Sequence, residues 1–395
     1  MKTVAAVGEA GASVRWRKEP DAFQKPVYVT RPLLPNLDNF KDHLSDIWEA
    51  GWLSNSGSKA RALEAELRDR LRAPQVSLFN NGTIALIVAA QALKLSGEVI
   101  TTPFTFPATP HVLSWNNVTP VFADIDPETF TLDPACIEPL ITSRTTGILA
   151  VHVYGMPCNV HAIQEVADAY GLKVIYDGAH AFGSEIDGQP ITNFGDATML
   201  SFHATKLFHT AEGGALVVRD PHLHKRIELL KNFGIKNEFQ VTMPGINGKM
   251  NEIQAALGLL TLEMVEGERR ARAAIGAVYR ERLAGISGLQ PFELPTNVRN
   301  SQQYFIIRIK KEAASVDRDT LYERLKQYNI FARKYFYPLC SDYSCYRSLP
   351  SSNPASLPVA HQASSEVLSL PFFGELGVDG ANRVCDAIDF IMGSA

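Results

Sequence analysis

Long apolar runs are missing from this sequence of 395 residues. No stretch approaches the roughly 20 consecutive apolar residues that a membrane-spanning helix needs. The segment from Met1 to Pro20 carries several charges and lacks the apolar centre of a secretory signal. These absences predict a cytoplasmic protein without a membrane partner.

A surplus of positive charge is missing too, since 38 Lys and Arg residues stand against 42 Asp and Glu residues and the net charge is −4. This balance does not favour nucleic acid as a partner. Cysteine is scarce, and no two of the five residues follow the Cys-x-x-Cys spacing of many zinc and redox sites. We therefore expect reduced thiols and no metal site.

Glycine and proline, at 27 and 23 residues, are too few for a collagenous or low-complexity chain. What is present is typical of a compact globular protein, because 46% of the residues are apolar and 20% are charged. At roughly 150 residues per domain, the length predicts two or three domains.

Seven short apolar or β-branched runs follow one another between residues 76 and 218. Most are separated by segments long enough for a helix, such as residues 85–95 and 161–170. Continuous apolar strands that alternate with helices are typical of a mostly parallel sheet covered on both faces. The predicted strands are 76–79, 99–102, 120–124, 147–153, 173–177, 198–202 and 215–218.

Two long helices are predicted from leucine and isoleucine spacing. The first long helix begins after residues 54–58, where Leu63, Leu67 and Leu71 recur at helical intervals. The second runs to about Leu283 and is expected to connect two domains. Its predicted apolar stripe consists of Ile253, Leu257, Leu260 and Met264.

After about Gly288 the pattern changes to an alternating strand at 303–309 and a helix at about 319–327. This change predicts a second, smaller α+β unit. We expect a mobile tail at residues 1–25, a large α/β domain at 26–265, and the connecting helix with the small domain at 266–395.

Three segments place polar groups at strand ends, where open α/β sheets bind ligands. The turn Asn81-Gly82-Thr83 opens a helix and is suited to an anion, although glycine there can serve the turn alone. Asp177 ends a strand and faces either a ligand or the start of the next helix. Lys206 follows another strand, where desolvation can lower its pKa, although most such lysines point to solvent.

Together the three segments meet the needs of one ligand better than each does alone. Pyridoxal 5′-phosphate requires an anion anchor, a carboxylate for its pyridinium nitrogen and an amine for a Schiff base. The sequence therefore predicts a pyridoxal phosphate enzyme.

The same segments carry a family resemblance that runs from about Tyr28 into the C-terminal part of the chain. They resemble the nucleotide-sugar aminotransferases of the DegT/DnrJ/EryC1/StrS family, at 81–86 (NGTIAL), 102–109 (TPFTFPAT), 177–183 (DGAHAFG), 201–206 (SFHATK) and 212–214 (EGG). The resemblance implies the aspartate aminotransferase fold, with a large, mostly parallel seven-stranded sheet and a smaller C-terminal α+β domain. It also implies a homodimer with shared active sites.

By position, the resemblance makes Lys206 the Schiff-base lysine and proton shuttle. Asp177 matches the carboxylate that keeps the pyridine nitrogen protonated. His180 matches a residue near the phenolic oxygen of the cofactor. These three residues are the expected catalytic groups.

Five further residues match cofactor contacts in the family. Phe106 stands where an aromatic ring stacks on the cofactor, and Asn247 where an asparagine reaches the phosphate from the partner subunit. The residues that match the phosphate contacts within one chain are Gly82, Thr83 and Ser201. The chain has Asn80 and Asn81 where the family often has serine.

Two residues are expected near the sugar substrate. Asn55 lies where the family approaches substrate, with a helix-start role as the equal alternative. Tyr335 can line the sugar site, with aromatic core packing as the alternative.

The resemblance implies transfer of an amino group from L-glutamate to a nucleotide-linked keto sugar. Local likeness around Gly82 and Lys206 favours C-4 of dTDP-4-keto-6-deoxyglucose, giving dTDP-4-amino-4,6-dideoxyglucose. The alternatives are a C-3 aminotransferase acting on a dTDP-3-keto-6-deoxyhexose, and a non-catalytic regulator that binds pyridoxal phosphate or nucleotide sugar.

Overall fold

The structure is a computed structural model that describes residues 3–4 and 17–393. Most of the predicted tail, residues 1–2 and 5–16, lies outside the described residues. In the described part of the predicted tail, Phe23 packs against a buried cluster, and its N–H donates to the carbonyl of Tyr328 at 3.0 Å. The predicted division into tail and two domains stays a prediction.

Ten α-helices are found in the described part of the chain. Helix α7 is the long helix that the sequence predicts, and it begins with a capping box formed by Asn251 and Gln254. The helices are α1 (Leu37–Ala50), α2 (Ser58–Arg70), α3 (Gly82–Ala92), α4 (Ala108–Trp115), α5 (Val160–Tyr170), α6 (Pro221–Leu230), α7 (Glu252–Leu283), α8 (Arg318–Leu325), α9 (Pro358–Glu366) and α10 (Gly377–Gly393).

A seven-stranded sheet forms the larger part of the fold, as expected. Its strands are β1 (Gln75–Phe79), β2 (Glu98–Thr101), β3 (Thr119–Phe122), β4 (Thr145–Val151), β5 (Lys173–Asp177), β6 (Ala197–Ser201) and β7 (Gly214–Val218). Their order is β1-β7-β6-β5-β4-β2-β3. Strand β7 is antiparallel to both neighbours, whereas the pairs from β6 to β3 are parallel. The predicted mostly parallel sheet is confirmed.

Helices cover both faces of this sheet, which explains why its strands are apolar throughout. On one side, Leu86 of α3 packs in a buried cluster with Leu216 of β7. On the other side, Leu63 and Leu67 of α2 are fully buried with Val217 of β7. The leucine repeat that predicted α2 is therefore its core face.

Two helix predictions are corrected. Helix α1 precedes the helix that the sequence predicts as the first long one. Its apolar residues Leu37, Phe40, Leu44 and Ile47 recur at helical spacing, but only Ile47 is fully buried, so this stripe is not a core face of the chain. On α7, Ile253 is 40% exposed and therefore does not belong to a buried stripe. Glu252 is buried instead, because its carboxylate accepts hydrogen bonds from the N–H groups of Lys59 and Ala60 at 2.8 and 3.1 Å.

A smaller antiparallel sheet follows α7, in the order β8 (Leu289–Pro291), β9 (Phe305–Ile309) and β10 (Val367–Leu370). Helices α8 and α10 share its apolar cluster, which confirms the smaller α+β part of the fold. Shorter strands are Thr3–Val4, Arg17–Lys18, Val27–Tyr28, Glu185–Ile186, Gln189–Pro190, Ile235–Asn237, Gln240–Val241, Val298–Arg299 and Ile330–Phe331.

No helix in the described residues combines the length and apolar character needed to cross a membrane.

Candidate active site

The carboxyl ends of β1, β5 and β6 and the start of β7 meet at one edge of the large sheet. Gly214 lies opposite Phe79 and Ser201, and Met199 lies beside Asp177. A cavity of about 570 Å³ opens at this edge. Most of the residues predicted for the site line it: Gly82, Thr83, Phe106, Asp177, His180, Ser201, Lys206 and Tyr335.

One end of the cavity is the start of α3, where the backbone is free to bind an anion. The Asn81 side chain caps the helix, because its Oδ1 accepts from the N–H of Ile84 at 2.8 Å. The first N–H groups of a helix have no intrahelical acceptor, and those of Gly82 and Thr83 belong to this turn. A side chain at position 82 would come within 2.9 Å of the Met199 sulfur, so any larger residue would have to displace the Met199 side chain.

Asp177 provides a buried carboxylate to the cavity wall and is only 4% exposed. Thr109 Oγ1 donates to Oδ2 at 2.8 Å, and the N–H of Ala179 donates to Oδ1 at 3.0 Å. Burial raises the pKa of Asp177, while these two hydrogen bonds and the charge of Lys206 oppose the rise. The residue therefore both caps a local turn and lines the cavity, so the two alternatives for Asp177 are compatible.

His180 is held as a neutral ring. Burial, and then the charge of Lys206, lower its pKa well below the ordinary value. Its Nδ1 accepts from the N–H of Tyr154 at 3.2 Å, which assigns the proton of the neutral ring to Nε2. The ring is parallel to that of Phe336, at 5.9 Å between centres. His180 can therefore donate one hydrogen bond from Nε2.

Lys206 lies in the loop after β6, with its side chain half-buried at the cavity. Its Nζ is 5.9 Å from the ring centre of Tyr304. Burial lowers its pKa to about 8, although the charge of Asp177 favours the protonated form. A much larger share of this amine is neutral near pH 7 than of an exposed lysine, which makes it a better nucleophile.

Two aromatic residues lie on other sides of the cavity. The Phe106 ring is 59% exposed, so one of its faces is available to a flat ligand. Tyr335 lines the cavity and also packs against Tyr304, with ring centres 5.3 Å apart. Burial raises the pKa of Tyr335 to about 12, so its hydroxyl is neutral. Tyr335 therefore lines the cavity and also packs against an aromatic neighbour, while its contact with a sugar stays a prediction.

Asn247 and Asn55 are not among the cavity residues of their own chain. Asn247 is exposed and pairs as a β-bridge with Asn232. Asn55 is exposed in the turn before α2, with a φ of 60°. Their expected roles in binding therefore need a surface beyond this chain.

Sequence reasoning assigned no role to several residues of the site. Thr109 lies within a recognised motif, but its bond to Asp177 joins residues far apart in the sequence. Tyr304 stands at the start of β9, about a hundred residues after Lys206, and belongs to a pattern that predicts only a strand. No local signal connects these residues to the cavity.

A profile of the DegT/DnrJ/EryC1/StrS aminotransferase family matches residues 37–389. The chain belongs to this family. Members of the DegT/DnrJ/EryC1/StrS family use pyridoxal phosphate, and it is the cofactor of this aminotransferase. The cavity fits this cofactor, because it combines a crowded glycine at a helix start, the buried carboxylate of Asp177 and the amine of Lys206.

This chain is 45% identical over 357 residues to a dTDP-4-amino-4,6-dideoxy-D-glucose transaminase from Escherichia coli. The match covers 89% of this chain and 95% of that protein. A GDP-perosamine synthase from Caulobacter vibrioides is 32% identical, over 91% of this chain and 97% of that protein. A structure of DesI with its TDP-sugar product is 36% identical, with a TM-score of 0.90, and covers 94% and 95% of the two chains.

In the cofactor-free protein we expect the Lys206 amine to titrate with a midpoint at about pH 8. Burial disfavours its charged form, so the neutral, reactive amine should appear at lower pH than in an exposed lysine. Acetic anhydride labelling over a pH series, followed by mass spectrometry of the Lys206 peptide, measures the midpoint. The exposed Lys41 serves as the internal reference for labelling. A midpoint at the ordinary lysine value of about 10.4 contradicts this expectation.

Proposed function

We propose that this aminotransferase moves an amino group from L-glutamate to C-4 of dTDP-4-keto-6-deoxyglucose and releases dTDP-4-amino-4,6-dideoxyglucose. The observation that carries the proposal is the 45% identity, over almost the whole length, to an Escherichia coli protein named for that product. The likeness to DesI, solved with a TDP-sugar product, supports the same class of nucleotide.

Pyridoxal phosphate, when bound, supplies an aldehyde carbon that joins to amines and a ring that withdraws electrons. In this proposal Lys206 would hold the cofactor through its amine, and Nζ would carry a proton to and from the substrate carbon. A pKa of about 8 suits both tasks, because the amine is readily deprotonated and can be protonated again near neutral pH.

Asp177 is proposed to keep a proton on the ring nitrogen of the cofactor. Thr109 and Ala179 hold both carboxylate oxygens in place, so the carboxylate is oriented before the ligand arrives. His180 is proposed to donate from Nε2 to the ring oxygen of the cofactor, because its Nδ1 is already an acceptor within the protein.

The remaining cofactor contacts divide between phosphate and ring. Gly82, Thr83 and Ser201 are proposed to bind the phosphate, since they line the cavity at the start of α3. Phe106 is proposed to stack on the ring with its exposed face. Tyr335, which also lines the cavity, is proposed to contact the sugar.

A homodimer with shared sites is proposed as the working form. Asn247 and Asn55 are exposed outside the cavity of their own chain, which is consistent with roles in the site of a partner. Large apolar residues left more than half exposed support a buried interface. Among them are Leu34, Leu37, Trp48, Trp52, Leu53, Phe239 and Val241. The cytoplasmic location expected from the sequence stays a prediction.

Replacement of Lys206 by alanine should lower kcat by at least about a thousandfold, because one residue supplies both the nucleophile and the proton carrier. Steady-state turnover with glutamate and dTDP-4-keto-6-deoxyglucose measures the loss. Lys41→Ala, at an exposed lysine paired with Asp38, is the matched control and should keep normal turnover. Substantial turnover by the Lys206→Ala protein contradicts the assigned role.

The position of the new amine tests the substrate assignment. We expect glutamate, the enzyme and dTDP-4-keto-6-deoxyglucose to give product without a 3,4-ketoisomerase, because the keto group is already on C-4. NMR of the purified product should place nitrogen on C-4. Product that forms only after the isomerase is added, with nitrogen on C-3, would make the enzyme a C-3 aminotransferase.

Mixed dimers test the shared site. Co-expression of Lys206→Ala and Asn247→Ala chains with different affinity tags should give heterodimers with one intact site, since each variant supplies what the other lacks. At limiting pyridoxal phosphate, these heterodimers should be more active than either homodimer. Light scattering should give the mass of two chains. A monodisperse and fully active monomer would rule out the shared site.

A further inference from the structure

Residues 300–304, here called the clamp segment, lead into β9 and reach back to the loop that carries Lys206. Gln303 is 2% exposed. Its Oε1 accepts from the N–H of Leu207 at 2.7 Å, and its Nε2 donates to the carbonyl of Thr205 at 3.0 Å. One amide side chain therefore bonds to the backbone on both sides of Lys206.

Two neighbours of Gln303 in the clamp segment contact Lys206 and His180. The Tyr304 ring lies 5.9 Å from the Lys206 amine and 5.0 Å, edge to face, from the His180 ring. Ser301 Oγ donates to the carbonyl of His180 at 2.8 Å. The clamp segment thus contacts both Lys206 and His180.

Two buried arginines of α7 hold the clamp segment in place. Arg272, which is 1% exposed, donates from Nη1 to the carbonyl of Gln302 at 3.2 Å and pairs with Glu268 at 2.6 Å. Arg269 Nη1 donates to the carbonyl of Asn300 at 3.2 Å. The segment is therefore fixed to the connecting helix rather than free to follow the Lys206 loop.

The loop also has supports of its own, since the Thr205 N–H donates to Nδ1 of His203 at 3.3 Å and the Leu207 side chain is fully buried. Lys206 stands five positions after the end of β6, and its own N–H donates to the carbonyl of His203 at 2.8 Å. A lysine side chain is long and flexible, so the position of its amine depends on where its backbone is held. Gln303 provides that support from a distant part of the chain.

We propose that Gln303 is a positioning residue that fixes the backbone around Lys206 and so keeps the Lys206 amine in the cavity against Tyr304. This inference rests on the proposed role of Lys206. Without the amide, the buried N–H of Leu207 loses its acceptor, and the loop must move to find another partner. Such movement would expose the half-buried amine further to water.

Gln303→Met tests the inference, because it keeps the size of the side chain and removes both hydrogen bonds. Gln302→Met is the matched control, with the same substitution at the neighbouring residue. Two structural readouts are used. The first is hydrogen exchange of the Leu207 amide in the holoenzyme, and the second is acetylation of Lys206 across a pH series in the cofactor-free chain. Turnover is measured beside them.

We expect the Leu207 amide to exchange faster in Gln303→Met alone, and the pKa of Lys206 to rise toward that of an exposed lysine. The kcat value should fall about tenfold to a hundredfold with little change in KM for the sugar, because the reacting amine is misplaced. If circular dichroism shows that Gln303→Met is unfolded, Gln303→Asn takes its place, since its shorter amide cannot span both backbone groups.

The inference is overturned when the Gln303 variant and the Gln302 control show the same exchange rate at the Leu207 amide and the same titration of Lys206. This holds even when Lys206→Ala has no turnover. Normal turnover by Lys206→Ala instead contradicts the proposed function. The two failures are therefore distinguishable.

Discussion

The rest of the site depends on one constraint. Two opposite charges, on Asp177 and Lys206, are partly removed from water at the edge of the large sheet. Burial disfavours the charged form of both Asp177 and Lys206, while each charge favours the other. Thr109 and Ala179 add hydrogen bonds only to the carboxylate. The amine receives less compensation, so its pKa of about 8 leaves it reactive near neutral pH.

The sheet topology explains how groups far apart in the sequence reach this edge. Strand β7 runs against its neighbours and begins where β1 and β6 end. A side chain at Gly214, the first residue of β7, would come within 2.7 Å of the Gly82 nitrogen. Glycine at both positions therefore lets the first turn of α3 lie directly over the sheet edge, where it is available to a phosphate.

The part of the chain after α7 also shapes the cavity. Phe104 and Tyr154 from the large sheet region share one buried cluster with Tyr304 and Phe336. The Phe104 and Phe336 rings meet edge to face at 5.8 Å. Because protein interiors are closely packed, a change in this cluster is transmitted to the walls of the site. The two sheets thus act as one support for the cofactor site.

The sequence by itself determined the seven strands, the long helix α7 and the cofactor class, because each leaves a local pattern. Apolar runs specify buried strands, and Gly82, Asp177 and Lys206 each belong to a recognisable motif. The predictions did not include α1, although its apolar residues recur at helical spacing, or the burial of Glu252 in place of Ile253. Only the tertiary structure brought Thr109 to Asp177 and Gln303 and Tyr304 to Lys206. These contacts join segments about 70 to 100 residues apart. Hydrogen bonds and ring contacts between such distant segments depend on how the chain packs, and packing imposes no repeating pattern on the sequence.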